Sequence, residues 1–365
     1  KTPVTQKDFD FETLPSDYFD IDSLPEEKLK YTLSALGNPT VINTPLPEIK
    51  DSAQTNILVI DDLEFSSAIN DLLIDDQGDT WIATNDGLYH FAGDKCYQYG
   101  TDQGLKSILI RKIIQDEKGR LWLGTSMGII ILDTKSGLIK SITQDEGLGQ
   151  NDVTSILIVD KDEVWVGTYD GGIDIINETN TSIKHLTYRQ KISENYILNM
   201  MKDSKGRIWV GTTSGGVDII DMNKNLVRHC KYSTGLNDNA VYGLFESEPG
   251  VIWISSGEFV NIMDLNQSKM SLLNTDPGIN MAYVNAYYKD IKGYIWLASN
   301  KGLSIVDLKN SRYKNIISSN DLLNKRFICI KKNKNNKIWI GTSEGLNIVD
   351  EIQKLTYINR KKDIS

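Results

Sequence analysis

The three histidines of the chain, His90, His185 and His229, are the side chains with the widest chemical repertoire. A metal site or a base-activated nucleophile requires groups that converge, usually with a histidine among them. The three fall in different copies of a repeat, with His90 on a predicted third strand and the other two on fourth strands. Because they do not converge, we predict structural roles for them, with no catalytic residue, no metal site and no cofactor.

Acidic residues are abundant, with 49 aspartates and glutamates against 40 lysines and arginines and a net charge of −9. Duplex binding needs a basic face, so this balance argues against nucleic acid as a partner. Four aspartates, Asp75, Asp116, Asp203 and Asp290, begin an Asp-x-x-Gly motif. The motif lacks the dense oxygen spacing of a calcium loop, so we expect each aspartate to close a turn between strands through its own backbone.

The elements that position these residues belong to a repeat marked by all seven tryptophans: Trp81, Trp122, Trp165, Trp209, Trp253, Trp296 and Trp339. They are 41 to 44 residues apart, and a period in the low forties with a strand-like tryptophan motif is typical of a propeller blade. The sequence therefore predicts an all-β fold, a single seven-bladed β-propeller over residues 56–365 with four antiparallel strands per blade.

Each tryptophan is expected to fill the space between neighbouring blades, because one large flat side chain per blade suits that gap. A small residue follows two positions later, as crowding near the propeller axis would require. The next position is always serine or threonine, and we expect its hydroxyl to bond a neighbouring blade.

Residues 1–55 differ from the repeats and are predicted to form an acidic, proline-containing N-terminal arm or tether. They hold six of the eight prolines and stretches in which acids alternate with aromatic residues, which cannot build a core alone. We expect an extended arm along the rim of the propeller, with a short helix near residues 25–30. Residues 56–61 and 354–358 both fit the outer strand that must cover the edge of the last blade, and the sequence leaves both open.

The candidate binding site is the mouth of the channel, where loops meet on a rigid scaffold. The loops that lead into each first strand and the turns between second and third strands gather there. Aromatic, amide and charged side chains in this ring suit a polar, ring-shaped ligand, although each tyrosine could instead pack the loops. The candidate residues are Arg111, Tyr169, Asp170, Asn195, Tyr196, Asn239, Tyr242, Glu258, Phe259, Tyr283 and Arg326.

The full blade pattern is Asn-x-Val-x-x-Ile-x-x-Asp-x-x-Gly-x-Leu-Trp-x-Gly-Thr, then Gly-Leu, then a strand ending in aspartate. It resembles the two-component regulator propeller repeat, and the paired glycines Gly171-Gly172 and Gly215-Gly216 fit it closely. The resemblance implies the extracytoplasmic sensor region of histidine kinases and hybrid two-component sensors, mostly of Bacteroidetes. Blade five departs from the pattern at residues 255–260.

The resemblance thus implies an extracytoplasmic sensor propeller, periplasmic or on the cell surface, that binds a small polar ligand such as a carbohydrate fragment. Contact with a membrane is expected only through segments outside this chain, since no run of 18 apolar residues occurs. The alternative is a stand-alone scaffold for a protein partner or a homodimer, which an apolar patch on the rim would favour. A propeller lyase or lactonase would need acids or histidines clustered at the channel mouth.

Overall fold

Each tryptophan-marked repeat folds into one antiparallel sheet, and the seven sheets form the blades of a β-propeller. The computed structural model describes residues 4–42, 57–59, 68–93, 95–273, 281–310, 312–316, 326–334, 336–343 and 345–350. We number the blades in chain order, so that blade one contains Trp81 and blade seven contains Trp339. The predicted all-β, seven-bladed fold is confirmed. No helix in the described part of the chain is long and apolar enough to cross a membrane.

Strands within a blade pair in chain order from the innermost outward. The first strands of blades one to seven are Ile69–Ile74, Ile110–Gln115, Val153–Ile158, Ile197–Lys202, Val241–Glu248, Val284–Lys289 and Phe327–Lys332. The second strands are Thr80–Thr84, Leu121–Thr125, Glu163–Thr168, Ile208–Thr212, Val251–Ser256, Ile295–Ser299 and Lys337–Thr342. The third strands are Leu88–Ala92, Gly128–Asp133, Ile173–Asn177, Val217–Asp221, Phe259–Asp264, Gly302–Asp307 and Gly345–Asp350. The fourth strands of blades one to six are Lys95–Tyr99, Leu138–Ile142, Ser182–Leu186, Leu226–Cys230, Lys269–Leu273 and Arg312–Ile316.

The ring is closed by a strand from the N-terminal part of the chain. Ile57–Val59 pairs antiparallel with the third strand of blade seven and so becomes its fourth strand. Of the two segments that the sequence left open, the N-terminal one occupies this place, and residues 354–358 lie outside the described residues. The first strand of blade seven also packs on that of blade one, which completes the inner ring.

The arm adds a fifth strand to five of the seven blades, so the prediction of four strands per blade is wrong for these five. Val4–Asp8, Ser16–Tyr18, Glu26–Lys28, Thr32–Ala35 and Thr40–Ile42 pair with the fourth strands of blades five, four, three, two and one, in that order. An outer strand exposes unpaired backbone groups, and the arm satisfies them. The helix predicted near residues 25–30 is also wrong, because Glu26–Lys28 bonds the edge of blade three instead.

Short 3₁₀ turns carry the arm from one blade to the next. Phe11–Thr13 and Ile21–Ser23 have nearly the same geometry, and each is capped by an aspartate side chain, Asp10 or Asp20, that accepts a backbone N–H two residues on. Six apolar residues of the arm are buried against the blades: Phe9, Phe11, Leu14, Phe19, Leu24 and Leu29. The alternation of acids with aromatic residues is therefore the pattern of a strip with one apolar face.

Tryptophan and the turn aspartate are bonded to each other in four blades. Each aspartate accepts two backbone N–H groups of its own turn with one oxygen, and the indole Nε1–H with the other, as in Asp203 and Trp209 at 2.9 Å. The other three pairs are Asp75 with Trp81, Asp116 with Trp122 and Asp290 with Trp296. The predicted turn role of these aspartates is confirmed. In blades three and five the indole instead donates to Glu163 and Ser247.

The small residue after each tryptophan lies against the next blade, as expected. A Cβ on Gly167 would come within 2.7 Å of Ile197, and one on Gly211 within 2.7 Å of Val241. In six blades the hydroxyl that follows donates to a carbonyl of its own blade, so the predicted bond to a neighbouring blade is wrong. Thr168 Oγ1 donates to Gly172 O in the same blade at 3.1 Å, because the threonine lies where its own turn must be closed.

Candidate functional site

One end of the propeller gathers the loops that could contact a ligand. These are the lead-in loops, which join the fourth strand of one blade to the first strand of the next, and the turns between second and third strands. We call this end the top face. Among the described residues, four lead-in loops contain a 3₁₀ turn: Thr101–Gln103, Gln144–Glu146, Tyr188–Gln190 and Tyr232–Thr234.

Every first strand has a β-bulge at the same place, just inside the mouth. The bulged residues, all partly exposed, are Asn70, Arg111, Thr154, Leu198, Tyr242, Asn285 and Ile328. Bulges redirect a side chain and occur often beside binding sites. Asn70 Nδ2 donates to Ile110 O and Asn285 Nδ2 to Phe327 O, both at 2.8 Å, so these two also join neighbouring blades.

Four of the predicted tyrosines form two pairs across blade boundaries. Tyr169 of blade three packs edge-on against Tyr196 of blade four, with ring centroids 4.9 Å apart. Tyr242 of blade five packs in the same way against Tyr283 of blade six, also at 4.9 Å. Tyr169 is 52% exposed, and the other three are partly exposed. The structure therefore brings these predicted residues together as preformed aromatic surfaces that adjoin solvent.

Tyr283 has an unusual backbone conformation for a bulky residue, with φ at +55°. In blades two, three, four, five and seven the turn amide bonds the residue equivalent to Tyr283, but in blade six Asn300 N bonds Ala282 O instead. The Tyr283 amide bonds Gly257 O of blade five at 3.0 Å. Left-handed backbone at such a residue costs free energy and is concentrated at functional sites. Here it holds the ring against Tyr242.

Asn195 and Asn239 pin the lead-in loops. Asn195 Oδ1 accepts Tyr188 N at 2.9 Å, and Asn239 Oδ1 accepts Tyr232 N at 2.7 Å. The carbonyl of Asn195 also accepts Gly172 N at 3.1 Å. Both residues lie on the top face as predicted, and their contacts show that they also hold the loops in shape.

The remaining candidate residues differ in their contacts and in their exposure. Arg111 forms an ion pair with Asp152, and Glu258 lies 3.4 Å from Lys301. Asp170 is exposed in the turn beside Tyr169, and Phe259 is partly exposed at the start of its strand. The structure does not bring the remaining candidate, Arg326, into contact with these groups. It is exposed on blade seven, where its backbone bonds Ser343.

Sequence reasoning missed two exposed tyrosines of the same face. Tyr188 and Tyr232 begin the 3₁₀ turns of the lead-in loops to blades four and five and are 56% and 68% exposed. The two tyrosines occupy the same position of the repeat, and this was the signal in the sequence that could have identified them. Together with the two pairs they form what we call the tyrosine arc: Tyr169, Tyr188, Tyr196, Tyr232, Tyr242 and Tyr283.

Glu194 was also missed, and it organises one turn of the arc. Its carboxylate accepts hydrogen bonds from Thr213 Oγ1 at 2.9 Å, Ser214 N at 2.7 Å and Gly215 N at 3.0 Å. This acid fixes the shape of the turn between second and third strands of blade four, so the face is held by side chains as well as by strands.

Two histidines of the fourth strands are hydrogen-bonded to buried aspartates of the neighbouring third strands. His185 Nδ1 lies 2.6 Å from Asp174 Oδ1, and His229 Nδ1 lies 2.7 Å from Asp218 Oδ1. Both aspartates are fully buried. The hydrogen bond to the carboxylate raises the pKa of each histidine, while burial raises the pKa of Asp174. Burial instead lowers the pKa of His90 on blade one.

Ser193, His229 and Asp218 are near one another without the geometry of a nucleophile. Ser193 Oγ lies 2.6 Å from Asp218 Oδ1 and 3.1 Å from His229 Nδ1, while His229 Nε2 faces Asp17 of the arm at 3.3 Å. Activation of a serine requires one imidazole nitrogen free to take its proton. Here a carboxylate faces each nitrogen, so the cluster binds the arm to blade four and offers no base for the serine.

Seven four- or five-stranded blades around one axis define the class of this molecule, a seven-bladed β-propeller. Residues 104–127 and 191–214 match the model of the family described as "Two component regulator propeller". Each match runs from a lead-in loop, through the tryptophan strand, to the following turn. The resemblance stated from the blade pattern is therefore confirmed for these repeats. No curated protein matches the chain by sequence.

Solved structures agree on the architecture. The extracellular domain of the hybrid two component system BT3049 from B. thetaiotaomicron superposes with a TM-score of 0.70 at 23% identity, over 82% of this chain and 43% of that one. The corresponding domain of BT4673 from the same organism gives 0.65 at 18% identity, over 77% and 38%. This chain thus spans less than half the length of either domain. Virginiamycin B lyase from Staphylococcus aureus gives 0.62 at 12% identity, over 87% and 99%. At these identities the similarity establishes the fold.

Proposed function

We propose that this chain is an extracytoplasmic recognition module of a two-component signalling system and that the tyrosine arc binds a small polar ligand such as a carbohydrate fragment. The repeat match and the B. thetaiotaomicron extracellular domains support the signalling context. The observation that carries the ligand class is the pair of edge-on tyrosine contacts, each at 4.9 Å.

The arc suits a sugar because it combines rigid aromatic faces with polar neighbours. Paired rings are held in place before a ligand arrives, so little side-chain entropy is lost on binding. Asp170 follows Tyr169 in the chain, and Glu258 follows Gly257, whose carbonyl accepts the Tyr283 amide. Both carboxylates offer acceptors for hydroxyl groups. Binding of a ligand to the arc requires no chemical reaction. The described residues that form the arc include no histidine.

A protein partner is the second candidate, favoured by one observation. Tyr188 and Tyr232 project from the lead-in loops with more than half of each side chain exposed. Tyrosine is enriched in the buried centres of protein interfaces. A partner that covers the whole arc would contact both tyrosines, whereas a ligand seated at the mouth would reach the paired tyrosines first.

A thermal-shift titration of the purified chain against an oligosaccharide panel tests the proposal. A ligand that binds the folded state raises the unfolding midpoint with concentration. A free ligand concentration of 100 times Kd adds about 2.7 kcal/mol to the free energy of unfolding. Tyr242→Ala removes one ring of a pair and should weaken binding about tenfold, which is about 1.4 kcal/mol. Tyr18→Ala is the matched control, because Tyr18 is 70% exposed on the arm, away from the mouth.

The outcomes separate the hypotheses. A concentration-dependent shift that Tyr242→Ala weakens and Tyr18→Ala preserves supports a small-molecule site on the arc. A shift that both variants preserve places the ligand elsewhere and contradicts the proposed site. A flat response to the whole panel contradicts the small polar ligand and favours a protein partner.

A further inference from the structure

Blade one differs from the six other blades at a core position. The third-strand residue opposite the tryptophan is isoleucine in those blades: Ile131, Ile175, Ile219, Ile262, Ile305 and Ile348. In blade one it is His90, opposite Trp81. The two rings stack with centroids 3.7 Å apart and planes 3° from parallel. An imidazole thus replaces the aliphatic side chain that fills this core position in the six other blades.

A second difference lies two residues before the tryptophan. Blades two and four have an arginine there, and its Nε donates to the turn aspartate, from Arg120 to Asp116 at 2.8 Å and from Arg207 to Asp203 at 2.6 Å. In blade one the same position holds Asp79. The cation that accompanies the turn aspartate in those blades is therefore replaced by a second carboxylate.

The two substitutions converge on one point at the bottom of blade one. One donor atom from each of Asp75, Asp79 and His90 lies within 4.8 Å of the others, and His90 Nε2 is 3.1 Å from Asp79 Oδ2. Both Asp79 and His90 are partly exposed, so an ion and a water can reach them from solvent. Among the described residues no lysine or arginine forms an ion pair with either carboxylate. Lys334 of blade seven donates to the Asp76 carbonyl of the same turn.

We propose that Asp75, Asp79 and His90 bind one divalent transition-metal ion, with Zn²⁺ the ion that the donor set fits. Zn²⁺ takes histidine nitrogen and carboxylate oxygen at about 2.0–2.2 Å and accepts three protein ligands plus water. Two such ligands on a tetrahedral ion are about 3.3 Å apart, close to the separation of His90 Nε2 and Asp79 Oδ2. Ca²⁺ fits poorly, because it requires six or more oxygen ligands and no imidazole.

The neighbours of the three residues already orient them. Trp81 Nε1 donates to Asp75 Oδ2 at 2.8 Å, and the turn amides of Gln77 and Asp79 donate to Asp75 Oδ1. Hydrogen bonds of this kind fix a ligating carboxylate and are part of a metal site. The ion would join the turn after the first strand to the third strand, in the blade whose first strand closes the ring against blade seven.

The test is a metal titration of the purified chain after treatment with a chelator. Zn²⁺ is expected to bind with a stoichiometry of one and to raise the thermal midpoint, and Co²⁺ is expected to give the visible absorption of a four-coordinate site. His90→Ile introduces the residue of the six other blades and should weaken binding at least 100-fold without disturbing the fold. Asp145→Asn, an exposed acid on a lead-in loop, is the control and should leave binding unchanged.

Asp79→Arg supplies the guanidinium of blades two and four and gives an independent second variant. It should abolish Zn²⁺ binding while keeping or raising the metal-free midpoint. The proposal is overturned if the wild-type chain binds no ion stoichiometrically. It is equally overturned if His90→Ile or Asp79→Arg, folded by its circular dichroism spectrum, titrates like the wild-type chain.

Discussion

The pair of Asp203 and Arg207 in blade four allows a double-mutant test of how the tryptophan motif is stabilised. Blade five solves the same structural problem without charge, since Ser247 accepts the indole N–H of Trp253 at 3.0 Å and Val251 occupies the arginine position. Asp203→Ser and Arg207→Val together would convert blade four to the arrangement of blade five.

The magnitudes follow from burial. Both side chains are buried, with Arg207 Nε 2.6 Å from Asp203 Oδ2. Asp203→Ser leaves a buried guanidinium without its anion, which costs about 3–5 kcal/mol. Arg207→Val leaves Asp203 with two backbone N–H groups and the Trp209 indole, so it should cost less, about 1.5–3 kcal/mol for one charge-assisted hydrogen bond. The double variant has no unpaired buried charge, and we expect a favourable coupling of about 3 kcal/mol, larger than the cost of Arg207→Val alone.

Urea unfolding followed by tryptophan fluorescence would measure all four proteins. The double variant should be more stable than Asp203→Ser alone, although it has one more substitution. Asp116→Ser in blade two is a matched control. Arg120 keeps a second partner there, since its Nη1 donates to Glu178 at 3.0 Å, and the single substitution should cost less than Asp203→Ser. Additive effects of the two blade-four substitutions would refute the reasoning.

Two further predictions concern the rim and the turns. The hydrogen bond to Asp218 raises the pKa of His229 above its ordinary 6.5, so its stabilisation is fully present below pH 6.5 and is lost as pH rises through the folded-state value. His229→Gln should therefore flatten the fall in thermal midpoint between pH 6 and 8, and an unchanged pH profile would contradict this. Gly172→Ala should cost more than Gly137→Ala, because both have positive φ but only a Cβ on Gly172 meets a backbone oxygen, that of Leu186. Chemical denaturation of the two variants measures the difference, and equal losses would show that the contact has no effect.

The blades could be predicted from sequence because their information is local. A tryptophan, a small residue and a hydroxyl lie within four residues of one another, and each has a role inside its own repeat or against the next. The hydroxyl was assigned to the wrong partner because spacing does not show direction. Thr168 could point across the blade boundary or back into its own turn, and only coordinates show that it bonds Gly172.

The candidate site was predicted as a set of residues but not as an arrangement. The repeat register placed Tyr242 and Tyr283 at the mouth, yet their contact depends on the left-handed backbone of Tyr283, which no residue type at that position announces. Tyr188 and Tyr232 were missed because the candidates from the lead-in loops were taken from the positions next to each first strand, whereas these two tyrosines begin the 3₁₀ turns earlier in the loops. Because these two tyrosines occupy equivalent positions of the repeat, an alignment of the repeats would have added them to the tyrosines at the mouth.

The strands of the arm were not predicted, although the arm has a repeat of its own. Residues 9–15 and 19–25 share a pattern of seven residues: phenylalanine, aspartate, an apolar residue, an acid, a hydroxyl residue, leucine and proline. Ten residues make one 3₁₀ turn and one strand, which is the step from the rim of one blade to the rim of the next. The acidic residues that indicated a tether cap the 3₁₀ turns or lie on the outer side of this strip.

The direction of the arm explains why it ends where the ring must close. It pairs with blades five, four, three, two and one in that order, opposite to the order in which the blades are made. The same segment of the chain then supplies Ile57–Val59 as the fourth strand of blade seven before the first strand of blade one begins at Ile69. The strands that cover the rim and the strand that closes the ring therefore both come from the chain before blade one. Because those pairings join residues far apart in sequence, the arm adds long-range contacts to a fold whose blades are otherwise locally connected.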